Sequence, residues 1–233
     1  MKTRALAAVF LAIAGLCACT SSTNAIFQTA QSVLRRDAAT AKAPLNPDFR
    51  YLRATVDDRV VLLVLGYVEN QAEEPIQVWY SAEREVLRLQ NGRIVGAVGL
   101  TTEWRNVKLE RPAAWSSLRN SALTSQWTRI RDVMPGYRFG VRDVLSLRAI
   151  SPPARSALQE LDPELLAWYE ERVEDRRIDS KNAKSDQLPP ARYAVALVDG
   201  TETVIYSEQC LARRLCFTLQ PWPAARQSAK NSE

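Results

Sequence analysis

The stretch EVLRLQNGRIVGAVGL, residues 85–100, decides the fold. Two runs rich in leucine, isoleucine and valine flank Asn91-Gly92, a dipeptide suited to the positive φ angles of a type I′ turn. Counting outward from a two-residue loop pairs Gln90 with Arg93, Leu89 with Ile94 and Leu87 with Gly96, so Leu89 and Ile94 meet on one face. This is a tight antiparallel hairpin. A second one is written in RYAVALVDGTETVIYSE, residues 192–208, where Asp199-Gly200 turns the chain. The same count sets Tyr193 opposite Tyr206 and Val195 opposite Val204.

Between and around these hairpins the pattern stays strand-like. FRYLRATV (49–56) leads through an acidic turn, Asp57-Asp58, into RVVLLVLGYVEN (59–70), a valine-rich run expected to be buried on both sides. IQVWYS (76–81) follows. SQWTRIRDVM (125–134) and RFGVRDVLSLRAI (138–150) read as longer strands joined at Pro135-Gly136, and CFTLQPW (216–222) as a last strand. The exception is LDPELLAWYEERVED (161–175). Asp162 suits an N-cap, Pro163 suits the first helical position, and Leu161, Leu165, Trp168 and Tyr169 share a helical face, so local chemistry predicts a helix; an extended edge is the alternative over 161–177. RRIDSKNAKSDQLPPA (176–191) is a long polar loop. Many strands, short turns and few short helices predict a mainly β chain, an antiparallel β-barrel-like or sandwich fold, with a smaller C-terminal sheet as an option.

The amino terminus carries a different signal. Lys2 and Arg4 precede an apolar run, residues 5–16, shorter than the roughly 20 residues a spanning helix needs. It ends in Leu16-Cys17-Ala18-Cys19, the order of a bacterial lipobox, with small Ala18 just before the acceptor Cys19 and Leu16 too large to sit before Cys17 as a cleavage position. The division expected is a lipoprotein signal peptide over 1–18, a lipidated segment with a short helix (24–36) and linker over 19–48, a β-rich domain over 49–222, and a polar tail over 223–233. An acylated Cys19 anchors the chain firmly, at about 0.8 kcal/mol per buried methylene. Thr20, where an aspartate would hold many lipoproteins at the inner membrane, points to the outer membrane. An ordinary cleaved signal is the competing reading.

Composition narrows the chemistry. Loss of residues 1–18 removes Lys2 and Arg4 and no acid, lowering the formal charge from +5 to +3, too little to imply nucleic acid. Histidine is absent, which excludes Ser-His-Asp and Cys-His catalysis and histidine zinc sites. Cys210 and Cys216 meet an oxidising compartment on export, so a disulfide closing that short loop is expected; five intervening residues argue against a redox pair. No phosphate-binding or dinucleotide glycine motif and no EF-hand loop occurs, so no cofactor and no metal are indicated.

With those residues in view, the chain resembles the YjbF/GfcB family of capsule and exopolysaccharide lipoproteins. The resemblance runs through YLRATVDDRVVLLVLGYVEN, WYSAEREVLRLQNGRIVGAVGLTTEW, SQWTRIRDVMPGYRFGV and ARYAVALVDGTETVIYSEQ with its closing LQPW. Cys210 and Cys216 are a departure from it. The resemblance implies a β-barrel-like outer-membrane lipoprotein on the periplasmic face, serving polysaccharide production or export beside other envelope proteins. It supplies no catalytic residues.

A polysaccharide partner asks for aromatic faces flanked by carboxylates or guanidinium groups. The aromatic supply is Trp79, Tyr80, Trp104, Trp115 and Trp127, and tryptophans that simply fill the core are the competing reading. Trp79, Tyr80, Glu103, Trp104 and Arg105 form the candidate glycan-binding set, with Trp104 expected at the surface between its charged neighbours. Acidic pairs at Asp57-Asp58, Glu73-Glu74 and Glu170-Glu171 are read as solvated turns, against the alternative of a glycosidase carboxylate pair. The function expected is a non-enzymatic lipoprotein acting by contact with polymer or with outer-membrane export proteins. A periplasmic glycan-processing enzyme and a purely structural envelope lipoprotein are the alternatives.

Overall fold

The structure, a computed structural model, describes residues 45–70, 74–118, 124–174 and 187–224. Cys19, the expected helix over 24–36 and most of the polar tail lie outside the described residues. Twelve strands follow in order: β1 (Tyr51–Val56), β2 (Arg59–Glu69), β3 (Ile76–Tyr80), β4 (Val86–Gln90), β5 (Arg93–Val98), β6 (Glu103–Glu110), β7 (Ser125–Met134), β8 (Arg138–Ile150), β9 (Ala167–Val173), β10 (Ala191–Val198), β11 (Thr201–Ala212) and β12 (Leu215–Trp222). Each is antiparallel to its neighbours in sequence, and β1 pairs with β12 from Tyr51–Trp222 to Thr55–Thr218. The sheet is thereby a closed ring. Closure limits open strand edges, the recurrent weakness of antiparallel sheets, although β5 and β6 pair only at Ala97–Trp104. No separate C-terminal sheet forms, because β10, β11 and β12 belong to the same ring.

Alternating strand direction sorts the connections onto two ends. One end carries the Asn91-Gly92 and Asp199-Gly200 turns, the connections after β6 and β8, and both the start of β1 and the finish of β12. The opposite end carries Asp57-Asp58, residues 81–85, residues 99–102 and the Pro135–Tyr137 turn. All strand pairs and all core clusters fall within Pro44–Glu233, a compact unit that closes on itself.

Both hairpins form, with the two innermost pairs of the first as counted, Gln90–Arg93 and Leu89–Ile94. Beyond them the register shifts, so that Leu87 faces Ala97 and not Gly96. One extra residue on β5 is accommodated as a bulge, and Arg93 through Ala97 are all buried as a result. The second hairpin repeats the lesson. Val195 faces Val204, but a shift at Ala194/Val195 puts Tyr193 opposite Ser207 and Ala194 opposite Tyr206. A count made from the turn alone cannot see a bulge that a curved, closing sheet requires.

The described part of that segment, residues 161–174, is not a helix. Asp162 does cap, accepting from the Glu164 backbone N–H at 3.0 Å, and Pro163 does open a turn, yet only the short 3-10 turn Pro163–Leu165 results before the chain extends into β9. The reason is tertiary. In β9 the successive rings of Trp168 and Tyr169 point to opposite faces, and each finds a core: Tyr169 with Trp115, Leu118, Leu147 and Tyr193, Trp168 with Leu166, Ala194, Ile205 and Tyr206. The latter cluster lies on the outside of the ring, under the connection between β8 and β9. Ala157 N donates to the Tyr206 hydroxyl at 2.9 Å, and Gln220 is clasped by Gln159 backbone groups at 2.8 and 3.0 Å.

The valine-rich β2 is a further correction, since only Leu63 and Val64 are buried. Val60 is 47% exposed, Tyr67 50% and Val68 39%. By alternation Leu63 faces the interior with Leu52 and Ala54, while Val64 is buried on the outer face opposite Tyr51, and Val60 and Tyr67, also outward, stay exposed.

Candidate functional site

Strand alternation separates the residues grouped as a sugar platform. Glu103, Trp104 and Arg105 are consecutive on β6, so the indole points opposite to its charged neighbours. Trp104 is 2% exposed, its Nε1 donating to the Leu211 carbonyl at 3.1 Å. The expectation of a surface Trp104 is therefore overturned. Glu103 and Arg105 engage each other at 2.6 Å, and Glu103 accepts from the Gly99 N–H at 2.8 Å, closing the turn that precedes β6. That backbone bond, with Arg105, holds the Glu103 carboxyl below its ordinary value despite some desolvation.

Trp79 is likewise buried, packed with Leu52, Leu87 and Phe217, and Trp115 and Trp127 are interior too. Tyr80, on the other face of β3, is half-buried beside Tyr67, with ring centroids 6.4 Å apart. No flat exposed aromatic surface is assembled by Trp79, Tyr80 and Trp104. Among the described aromatic rings the most exposed are Tyr137 and Phe139, at the β7–β8 turn.

The interior holds charges, and of these Arg93, Arg129, Arg131 and Asp143 stood out by no motif in the sequence. Arg93, 2% exposed, places Nε 3.2 Å from Glu171 Oε2 and stacks its guanidinium 3.9 Å from the Trp115 ring centre. Trp127 lies on the same cation at 5.2 Å. The Tyr193 hydroxyl sits 3.4 Å from Glu171 Oε1 and 3.2 Å from Gln209 Oε1; burial, then the nearby carboxylate, raise its pKa well above the ordinary phenol value. Gln209 also ties the first hairpin to β11, accepting from Ile94 N at 2.9 Å and donating to Gly92 O at 2.9 Å. Trp115 reaches the same turn through Asn91 Oδ1 at 3.0 Å. One end of the ring is thus plugged by a hairpin tip, a cation and three aromatic rings.

A second buried set lies between β7 and β8. Asp143 receives Arg131 Nε at 2.7 Å and Arg129 Nη2 at 2.9 Å, and both guanidinium groups lie over Trp104, at 4.6 and 4.4 Å. Burial alone would raise the Asp143 pKa. The Arg131 hydrogen bond and the two arginine charges outweigh it and hold the carboxyl below its usual range. Glu170 and Glu171 correct another expectation: they occupy β9 and are buried, where a solvated turn was anticipated. Glu171 points inward to Arg93. Glu170 points outward to Arg172 and Arg148, each at 2.7 Å, and those bonds lower its pKa against desolvation. Asp57-Asp58 does sit at a solvated turn, with φ of 46° and 63°. Among Glu73-Glu74 only Glu74 is described.

Cys210 and Cys216 face each other across β11 and β12 and are joined as a disulfide. At the opposite end, among the described residues, a cavity of about 430 Å³ reaches inward between β1, β2, β4 and β12.

The class defined by this geometry is a closed antiparallel β scaffold whose buried charges are matched internally and whose interior is plugged at one end. The chain belongs to the YjbF family, described as group 4 capsule polysaccharide lipoprotein GfcB, YjbF, whose model matches residues 24–181. A solved structure, the hypothetical lipoprotein YmcC from Escherichia coli (K12), is similar in fold, with a TM-score of 0.54 and 18% sequence identity over 86% of this chain and 96% of that one. No curated protein is a significant sequence match.

Proposed function

We propose that this protein is a non-enzymatic outer-membrane lipoprotein, anchored through acylated Cys19 at the periplasmic face, that serves capsule or exopolysaccharide production or export by contact. The observation that carries the reading is the family match over residues 24–181, whose description links the family to capsule polysaccharide and to lipoproteins. The buried carboxylates support contact over turnover. A glycosidase acid needs a raised pKa, whereas arginines hold Asp143 and Glu170 below the ordinary range. With Trp79 and Trp104 buried, docking on envelope partners is better supported than a polymer track built on those rings.

Deleting the gene and quantifying surface polysaccharide tests this. Wild-type protein should restore the polymer and Cys19→Ala should not. A deletion strain with unchanged polysaccharide overturns the proposal, and purified protein that cleaves a glycan returns the enzymatic alternative.

A further inference from the structure

We infer that the cavity between β1, β2, β4 and β12 binds a long-chain amphiphile, taking one hydrocarbon chain into the barrel and leaving a polar head at the mouth. The cavity of about 430 Å³ is walled by Ala54, Val61, Leu63, Leu87, Leu100 and Phe217. Those side chains supply no hydrogen-bond partners, so water within would be poorly satisfied. Elsewhere the ring interior is closed by packed rings and ion pairs, as dense interiors require. An apolar void of this size falls within the range of small-molecule sites, roughly 300–1,000 Å³. It is also nearly three times the engineered apolar cavity of about 150 Å³ that takes up benzene. A hydrocarbon group is therefore the chemistry it fits.

The mouth adds the second half of the argument. Asp57 and Arg59 flank the opening from the β1–β2 turn, while Ser81 and Glu85 satisfy each other, Glu85 N donating to Ser81 Oγ at 3.0 Å. An occupant with one polar end keeps that end among these charges and its chain among the leucines and valines. The start of β1 and the finish of β12 lie at the other end of the ring from these residues. The site stands apart from the polysaccharide role and does not depend on it.

The test uses the full-length chain carrying Cys19→Ala, titrated with cis-parinaric acid. Saturable one-to-one fluorescence enhancement, displaced by palmitate, is expected. Val61→Trp and Ala54→Leu fill the cavity from two strands and should each weaken binding about tenfold, while circular dichroism and the thermal midpoint show them folded. Val60→Trp, one residue away on the outer face, should bind as wild type. The intact lipidated chain separates the sources: unaltered probe binding indicates a separate amphiphile, and blocked binding indicates the protein's own acyl group in the site. Absence of saturable binding, or equal affinity in Val60→Trp and both folded filling variants, overturns the inference. Both readouts are independent of the deletion phenotype.

Discussion

Arg93 shows how much a single side chain can organise when it is buried. It neutralises Glu171, stacks on Trp115 and lies at the foot of the hairpin tip that plugs the ring. Removing one partner leaves the other charge buried and uncompensated, a loss of about 3–5 kcal/mol in comparable pairs. Arg93→Met should therefore destabilise strongly in urea titration, and Arg93→Met with Glu171→Gln should lose much less than the two single losses added. If the single losses simply add, the pair is not coupled. Glycine position makes a second contrast. Gly92 and Gly200 both have φ of +77°, but a Cβ on Gly92 would overlap the Val204 side chain, whereas Gly200 has open space around it. Gly200→Ala should cost only the backbone strain, about 1 kcal/mol, and Gly92→Ala distinctly more. Equal thermal midpoints for the two variants would contradict the tucked turn. Sequence inspection found the Asn91-Gly92 turn, but nothing local to it announces that its tip is interior.

At the scale of elements, the β7–β8 pair is held by a carboxylate with two arginines. The folded Asp143 pKa is depressed, so its stabilisation is present above the unfolded value of about 3.9 and is lost as pH falls through the lower folded value. The thermal midpoint should drop below about pH 4. Asp143→Asn should start lower, with Arg129 and Arg131 unpaired, and show a shallower acid limb; an identical limb would assign the drop to other carboxylates. The β11–β12 hairpin carries its own staple. Replacing both Cys210 and Cys216 with alanine should cost about 2 kcal/mol by loop-closure entropy, read as a lower urea midpoint. No change would mean that the hairpin register alone holds that loop. Elements were legible wherever the turn chemistry was local: Asn91-Gly92, Asp199-Gly200 and Pro135-Gly136 all mark real reversals. Residues 161–175 were not, because capping by Asp162 and Pro163 favours a helix while pairing with β8 and β10 and burial of both Trp168 and Tyr169 favour a strand. Two faces of burial outweigh one turn of capping.

For the whole molecule, closure is the property from which the rest follows. Since β1 pairs only with β2 and β12, the unit 44–233 should show the same strand content by circular dichroism and a thermal midpoint within a few degrees of the intact chain. A broad or much lower transition would show that residues 1–43 contribute to the fold. Closure also explains which candidate residues failed as a surface site: β6 must send every second side chain inward, and Trp104 falls on that count while Glu103 and Arg105 do not. Local patterning was enough to reveal the β class, the hairpins and the family resemblance, because turn propensity and side-chain alternation are local and repeat along the chain. The tertiary structure alone decided which strands would bulge, which valines would stay exposed, and that Glu171 would meet Arg93 across 78 residues. Those outcomes depend on which faces come together when the first strand reaches the last, and no window of neighbouring residues contains that distance.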